Sequence, residues 1–200
     1  MKLWLVRHSQ PLVEAGVCYG RLDLVADVRA TDECARRLAE ALPTKIRVMA
    51  SPLQRCEQLA HALQALRPDL ACKTDARLAE MDFGRWEGRA WDDIDRAELQ
   101  EWTDDFAHYA AGRDGESVSG FMSRVASVFD ELIRGALTPA LSLGERENER
   151  EDEVLWITHA GVIRAAQLLS RGIRRIERAD QWPLNLTNYG QWHVLDLRAG

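Results

Sequence analysis

"LWLVRHSQP", residues 3–11, runs apolar from Leu3 to Val6 and then delivers a cation and an imidazole side by side, Arg7 and His8. An unbroken apolar run is what a strand buried on both faces requires, as in a parallel sheet. Two further stretches break off in the same way. "KIRVMAS", 45–51, reads as a second strand and passes at once into "SPLQRCEQLAHALQAL", whose apolar residues at 53, 56, 59, 60, 63 and 66 keep helical spacing. There Ser51 fits an N-cap and Pro52 the first helical position. "EVLWIT", 153–158, reads as a third buried strand, and "HAGVIRAAQLLSRGI" turns directly into a helix after Thr158-His159. Short apolar strands alternating with helices predict an α/β layer fold with a largely parallel sheet.

The remaining segments fit this pattern. "TDECARRLAEAL", 31–42, reads as a helix ended by Pro43, and "WDDIDRAELQEWTDDF" as a weaker, acidic one. "GESVSGFMSRVASVFDELIRGAL" is strongly amphipathic, and "GQWHVLDL" reads as a final edge strand. Residues 77–88, "RLAEMDFGRWEG", lack a clean period and read as a loop. "LSLGERENEREDE", 141–153, carries charge without apolar periodicity and is expected to be a flexible surface insertion in a single domain spanning 1–200.

Composition narrows the partners. A net charge of −6 argues against bulk nucleic-acid binding but leaves room for a small anionic substrate in a local cationic pocket. No apolar run reaches the length of a membrane span, and the apolar start is too short for a signal-peptide core, so a cytoplasmic protein without membrane partners is expected. Cysteines at 18, 34, 56 and 72 form no CxxC and have no His at ligand spacing, so reduced structural thiols are expected. The oligomeric state stays open, a homodimer among the candidates.

The carboxyl ends of parallel strands form the ligand crevice of α/β sheets, and helix N-termini there favour anions. Arg7-His8, Arg55 and His159 all follow strand ends, so two arginines and two histidines are placed to converge. Arginines clamp phosphoryl oxygens with paired hydrogen bonds, and a neutral imidazole is a competent nucleophile toward phosphorus. A second imidazole stabilises the equatorial oxygens, and the leaving alkoxide needs an acid. Glu80, Asp82 and Glu87 lie on the 77–88 loop, and spacing alone does not choose among them. Taken singly, a histidine after a strand or an arginine on a helix is more often structural; the coincidence at three strand ends carries the reading. His8 and His159 have no carboxylate at a metal-ligand spacing, so no metal is expected.

These motifs resemble a known family. "LVRHSQP", "SPLQRCEQLA", "LAEMDFGRWEG" and "ITHAGVIRA" are similar, in order, to the four signature segments of the phosphoglycerate mutase-like branch of the histidine phosphatase superfamily. The resemblance implies a three-layer α/β/α sandwich, mostly parallel with one antiparallel strand. It implies that His8 is the phosphorylated nucleophile, that Arg7, Arg55 and His159 form the phosphate pocket, and that Glu80 is the proton donor. It implies no metal or diffusible cofactor, as in a histidine acid-type phosphatase acting on phosphoric monoesters of small metabolites.

Two departures stand out. Ser9 replaces the glycine usual after the nucleophile, and "PLVEAGVCYG" lacks the asparagine that often helps bind phosphate, with Glu14 nearby. In "CYGRLD", Gly20 and Arg21 are candidate substrate contacts. Gly115-Glu116-Ser117 resembles a family segment read here as substrate-side wall or helix cap. "GVCYGRLD" with "EMDFGRWEGRAWDDI" most resembles the alpha-ribazole phosphatase group of cobalamin assembly, which implies hydrolysis of alpha-ribazole 5′-phosphate. The alternatives are a phosphoglycerate mutase and a phosphate-binding protein without turnover.

Overall fold

The computed structural model describes residues 1–137 and 153–197; the expected insertion at 141–153 therefore lies outside the described residues except for Glu153. Strands β1 (Lys2–Arg7), β2 (Arg47–Ala50), β3 (Cys72–Thr74), β4 (Glu153–Thr158) and β5 (Trp192–Asp196) form one sheet in the order β3-β2-β4-β1-β5. The first four run parallel, and β5 lies antiparallel on β1 at the edge. Helices α1 (Val28–Ala41), α2 (Gln54–Leu66), α3 (Arg96–Asp104), α4 (Val118–Leu137) and α5 (Ala160–Leu169) complete the α/β fold.

Alternation along the strands builds two cores. Leu3, Leu5, Val154 and Trp156 face α4 and α5 and pack with Phe121, Val125, Phe129 and Val162. Val6, Val48, Leu155 and Ile157 face the other way and pack with Leu38 of α1 and with Leu59 and Leu63 of α2. The sheet is thus buried on both sides, the physical reason its strands carry no polar alternation. Trp156 is fully buried, so truncating it to alanine removes about 3–5 kcal/mol of stability.

Two local readings are corrected, and one strand was not foreseen. β3 has only three residues, two of them exposed, too short to show a period. α1 begins at Val28 rather than Thr31, because Asp27 caps it by accepting the Ala30 N–H at 2.8 Å. Ser51 does not cap α2. The helix begins at Gln54, whose N–H is taken by Asp23 Oδ1 at 2.7 Å from a separate loop. All four cysteines are free.

Candidate active site

The sheet order decides which strand ends meet. β4 lies between β1 and β2, so the chain leaves three neighbouring strands along one edge of the sheet. Arg7 pairs with Thr158 and Ala50 with Ile157, which brings residue 8 level with 159 and residue 51 level with 158. The His8 N–H donates to Thr158 O and the Ser51 N–H to Ile157 O, each at 3.0 Å, extending the ladder into the site. The His8 and His159 rings lie 5.1 Å apart.

Arg55 enters from the first turn of α2 and is fully buried. Its Nε donates to His8 Nε2 at 3.3 Å, Nη2 to Gly20 O at 2.6 Å and Nη1 to Leu22 O at 2.8 Å. Those carbonyls fix the guanidinium plane beside the imidazole. Arg7 donates from Nη1 to Thr187 O at 2.8 Å and stacks on the Tyr189 ring, 3.8 Å from its centroid. The Tyr189 hydroxyl meets that of Tyr19 at 2.5 Å, so two tyrosines brace Arg7. Arg7 Nε is buried without an acceptor.

The two imidazoles are held neutral. Burial, then the charge of Arg55, pushes the pKa of His8 well below 6.5, against a raising contribution from the Ser9 carbonyl. His8 Nδ1 lies 2.7 Å from Ser9 O, an acceptor only, so Nδ1 carries the proton and Nε2 keeps its lone pair. Burial, then Arg55 and His8, likewise lowers His159. His159 Nε2 lies 2.8 Å from Ser51 Oγ and 3.5 Å from Cys56 Sγ. Burial raises the Cys56 pKa strongly, so its thiol stays protonated. Ser51 Oγ already accepts the Leu53 N–H at 3.3 Å. We therefore assign Nε2 as the acceptor and Nδ1 as the protonated nitrogen, and Nδ1 is a buried donor with no acceptor.

The three loop carboxylates divide by their partners. Glu87 accepts from Phe83 N and Arg21 N at 2.9 and 2.8 Å and from Leu22 N, so it clamps two loops together. Asp82 accepts the Gly84 N–H at 2.8 Å and faces Arg21 at 3.6 Å. Glu80 sits at the start of α5, where Oε2 accepts the Gly161 N–H at 3.0 Å. A Cβ at Gly161 would meet Glu80 Oε1 at 2.2 Å, so a larger residue there would push the carboxylate aside. Arg124 of α4 braces the backbone beneath it, donating to Arg77 O and Ala79 O at 2.9 Å and to Glu80 O at 3.3 Å. Glu116 holds Arg124 at 2.7 Å, and Ser117 Oγ accepts the Gly120 N–H at 3.1 Å as the cap of α4. The Gly-Glu-Ser segment thus acts through Arg124 and the helix end.

The structure brings together Arg7, His8, Arg55 and His159, with the carboxylate of the loop residue Glu80 hydrogen-bonded to the first turn of the helix that follows His159. Gly20 is buried, its carbonyl on Arg55, and a Cβ there would strike Met81 O. Arg21 turns outward to Asp82 with 61% of its side chain exposed. Glu14 is exposed. Ser9 is buried and its φ is negative, Arg113 being the one non-glycine residue with positive φ among the described residues. The turn after His8 therefore accepts an L side chain, and Ser9 Oγ donates to Ala30 O at 3.3 Å. Sequence reasoning missed Ser51 and the Tyr19–Tyr189 brace. The first was masked by its resemblance to a helix cap; "TNYG" before the last strand gives no chemical signal for the second.

Among the described residues, no three of His, Cys, Asp and Glu are arranged to hold a metal ion, and no helix is long and apolar enough to cross a membrane. The fold is similar to that of a mycobacterial glucosyl-3-phosphoglycerate phosphatase, with a TM-score of 0.74 at 23% identity over 98% of this chain and 89% of that one. That phosphatase has also been solved with inorganic phosphate and with VO3. TTHB049 from Thermus thermophilus aligns with a TM-score of 0.67 at 26% identity over 98% of this chain and 94% of that one. A protein described as mycobacterial hydrolase 1 gives 0.74 at 25%, over 96% and 87%. No curated protein matches in sequence. Residues 3–200 match the family described as histidine phosphatase superfamily (branch 1), and the chain belongs to that family.

Proposed function

We propose that the protein is a phosphomonoesterase that works through a phosphohistidine on His8. The observation that carries this is the neutral His8, whose Nδ1–H is tied to Ser9 O while Nε2 faces Arg55. Nε2 attacks phosphorus, the bond to the alcohol oxygen breaks, and Glu80 gives that oxygen its proton. Water then attacks the phosphohistidine, Glu80 takes its proton, and inorganic phosphate leaves. Arg7 Nε and His159 Nδ1, buried donors without acceptors, bind the phosphoryl oxygens and strengthen their hold as the equatorial charge develops. Arg55 bridges nucleophile and phosphoryl group. The chemistry needs no metal.

The substrate is a small cytoplasmic phosphorylated metabolite, and alpha-ribazole 5′-phosphate is the member of that class we propose, on the resemblance of "GVCYGRLD" and "EMDFGRWEGRAWDDI". A fold shared with a glucosyl-3-phosphoglycerate phosphatase is in keeping with hydrolysis rather than transfer. Phosphate release measured across alpha-ribazole 5′-phosphate, phosphoserine, the phosphoglycerates and sugar phosphates tests the reading. The expected result is a kcat/KM for alpha-ribazole 5′-phosphate well above the rest. Movement of phosphate between 2- and 3-phosphoglycerate without release would contradict it.

A further inference from the structure

Two phenols meet beside His8, and each is carried by fixed backbone. Tyr189 lies in the turn before β5. Next to it, the Gly190 N–H donates to Arg7 O at 3.2 Å and to His8 O at 3.1 Å, and the Arg7 N–H donates to Gln191 O at 3.0 Å. The Tyr189 ring lies 5.6 Å from the His8 ring, with the Arg7 guanidinium 3.8 Å from its centroid. Tyr19 lies in the segment between β1 and α1. The Cys18 N–H before it donates to Arg89 O at 2.7 Å, the Cys18 carbonyl accepts the Gly88 N–H at 2.8 Å, and the Gly20 carbonyl after it accepts from Arg55. The Arg55 guanidinium is 5.5 Å from the Tyr19 ring centroid. With their hydroxyls 2.5 Å apart, the two phenols span from Arg7 to Arg55 with His8 alongside.

Counting hydrogens shows what the pair still offers. A phenol hydroxyl has one hydrogen to give and can also accept. Either hydroxyl can donate to the other, and in both cases one hydrogen of the pair is left over. Among the described residues no other hydrogen bond reaches either hydroxyl. Burial, then the bond to Tyr189, raises the pKa of Tyr19, while the charges of Arg7 and Arg55 oppose the rise. That phenol stays protonated near neutral pH and is a donor. Stacking on Arg7 needs only the Tyr189 ring, so the spare hydrogen is surplus to the brace. A phosphoryl group offers three strong acceptor oxygens. Arg7 Nε and His159 Nδ1 are buried donors without acceptors in that pocket, and three oxygens can take more than two bonds.

We propose that the Tyr19–Tyr189 pair is a phosphate-binding element that donates its spare hydrogen to a phosphoryl oxygen. The proposal rests on the reading of Arg7, His8, Arg55 and His159 as the phosphate pocket, and adds to it a neutral donor held in place by two separate segments.

Calorimetric titration with inorganic phosphate compares the unmodified full-length protein with the double variant Tyr19→Phe, Tyr189→Phe, which keeps both rings and the stack on Arg7. The expected result is binding weaker by about tenfold or more, the worth of one hydrogen bond to a charged group. A second readout separates a direct bond from a brace that acts through Arg7. The chain has three tyrosines, Tyr19, Tyr109 and Tyr189. In unmodified protein isotopically labelled at tyrosine Cζ for NMR, with each signal assigned from a single Phe variant, phosphate should move the Tyr19 or the Tyr189 signal downfield. That is the shift of a phenol that begins to donate to an anion. Tyr109, stacked on Trp86, should stay in place. Unchanged phosphate affinity in the double variant, or bound phosphate with neither signal moved, would overturn the proposal. Hydrolysis of phosphomonoesters by the unmodified protein is the separate check on the phosphatase reading. Phosphate bound with the shift but without hydrolysis would overturn that reading and leave the tyrosine pair standing as a phosphate site.

Discussion

Ser51 Oγ lies 2.8 Å from His159 Nε2, with the protonated thiol of Cys56 at 3.5 Å on the same nitrogen. With Ser51 and Cys56 assigned as donors to Nε2, the proton sits on Nδ1, the nitrogen proposed to bind the phosphoryl group. Replacing Ser51 by alanine removes the stronger donor and lets the ring exchange tautomers. The expected cost is about tenfold in kcat/KM, the worth of one such hydrogen bond. An unchanged kcat/KM in a variant with unaltered melting temperature would show that Ser51 does not orient the ring.

The acid is tested by the leaving group. Glu80→Gln keeps the bond to the Gly161 N–H through its amide oxygen but cannot give up a proton in the same way. Turnover of alkyl phosphates, whose alkoxides leave poorly, should fall about 100-fold or more. Turnover of p-nitrophenyl phosphate, whose phenolate leaves without help, should fall far less. Equal losses on both esters, read from kcat, would remove Glu80 from the role.

Arg55 is expected to show the largest combined effect. It is fully buried, and its guanidinium serves Gly20 O, Leu22 O and His8 at once. A lysine carries the charge but cannot reproduce the fork. Arg55→Lys should lower kcat/KM by about two orders of magnitude and also lower the melting temperature, because the two loop carbonyls lose their donors. A loss of activity with no loss of stability would show that those carbonyl bonds contribute little.

Stability carries a pH signature from the same imidazoles. The folded pKa values of His8 and His159 are lowered well below 6.5, so below that pH the unfolded chain binds more protons than the folded one. Their contribution is fully present above pH 6.5 and is lost as pH falls toward the folded values. Each histidine adds a slope approaching about 1.4 kcal/mol per pH unit in that window. Denaturant unfolding at pH 7.5, 6.0 and 5.0 should show a shallower acid loss in His159→Ala than in the unmodified protein. The same slope in both would mean that His159 titrates normally.

The side chains proposed for the phosphate pocket stand out in the sequence because they lie at or soon after the ends of apolar strand runs. Arg7, His8 and His159 sit where a buried strand must surface, and Arg55 lies one residue inside the helix after β2. Geometry was needed where one pattern has two meanings. Ser51-Pro52 looks like a helix start, yet Asp23 takes over the helix end and leaves Ser51 for His159. Glu80, Asp82 and Glu87 are equivalent on a loop, and only their N–H partners separate them. An aromatic cavity beside Glu80 was hidden for a different reason. Its rings come from positions 83 to 182, and each alone looks like core.

The central claim is a covalent phosphate on His8. Rapid acid-free quenching of the enzyme with a radiolabelled phosphomonoester, followed by peptide mapping, tests it directly. The account predicts a base-stable, acid-labile phosphoryl group on the peptide carrying His8, formed and discharged at rates that support turnover, and absent from His8→Ala. Label on any other residue, or full turnover by His8→Ala, would contradict it.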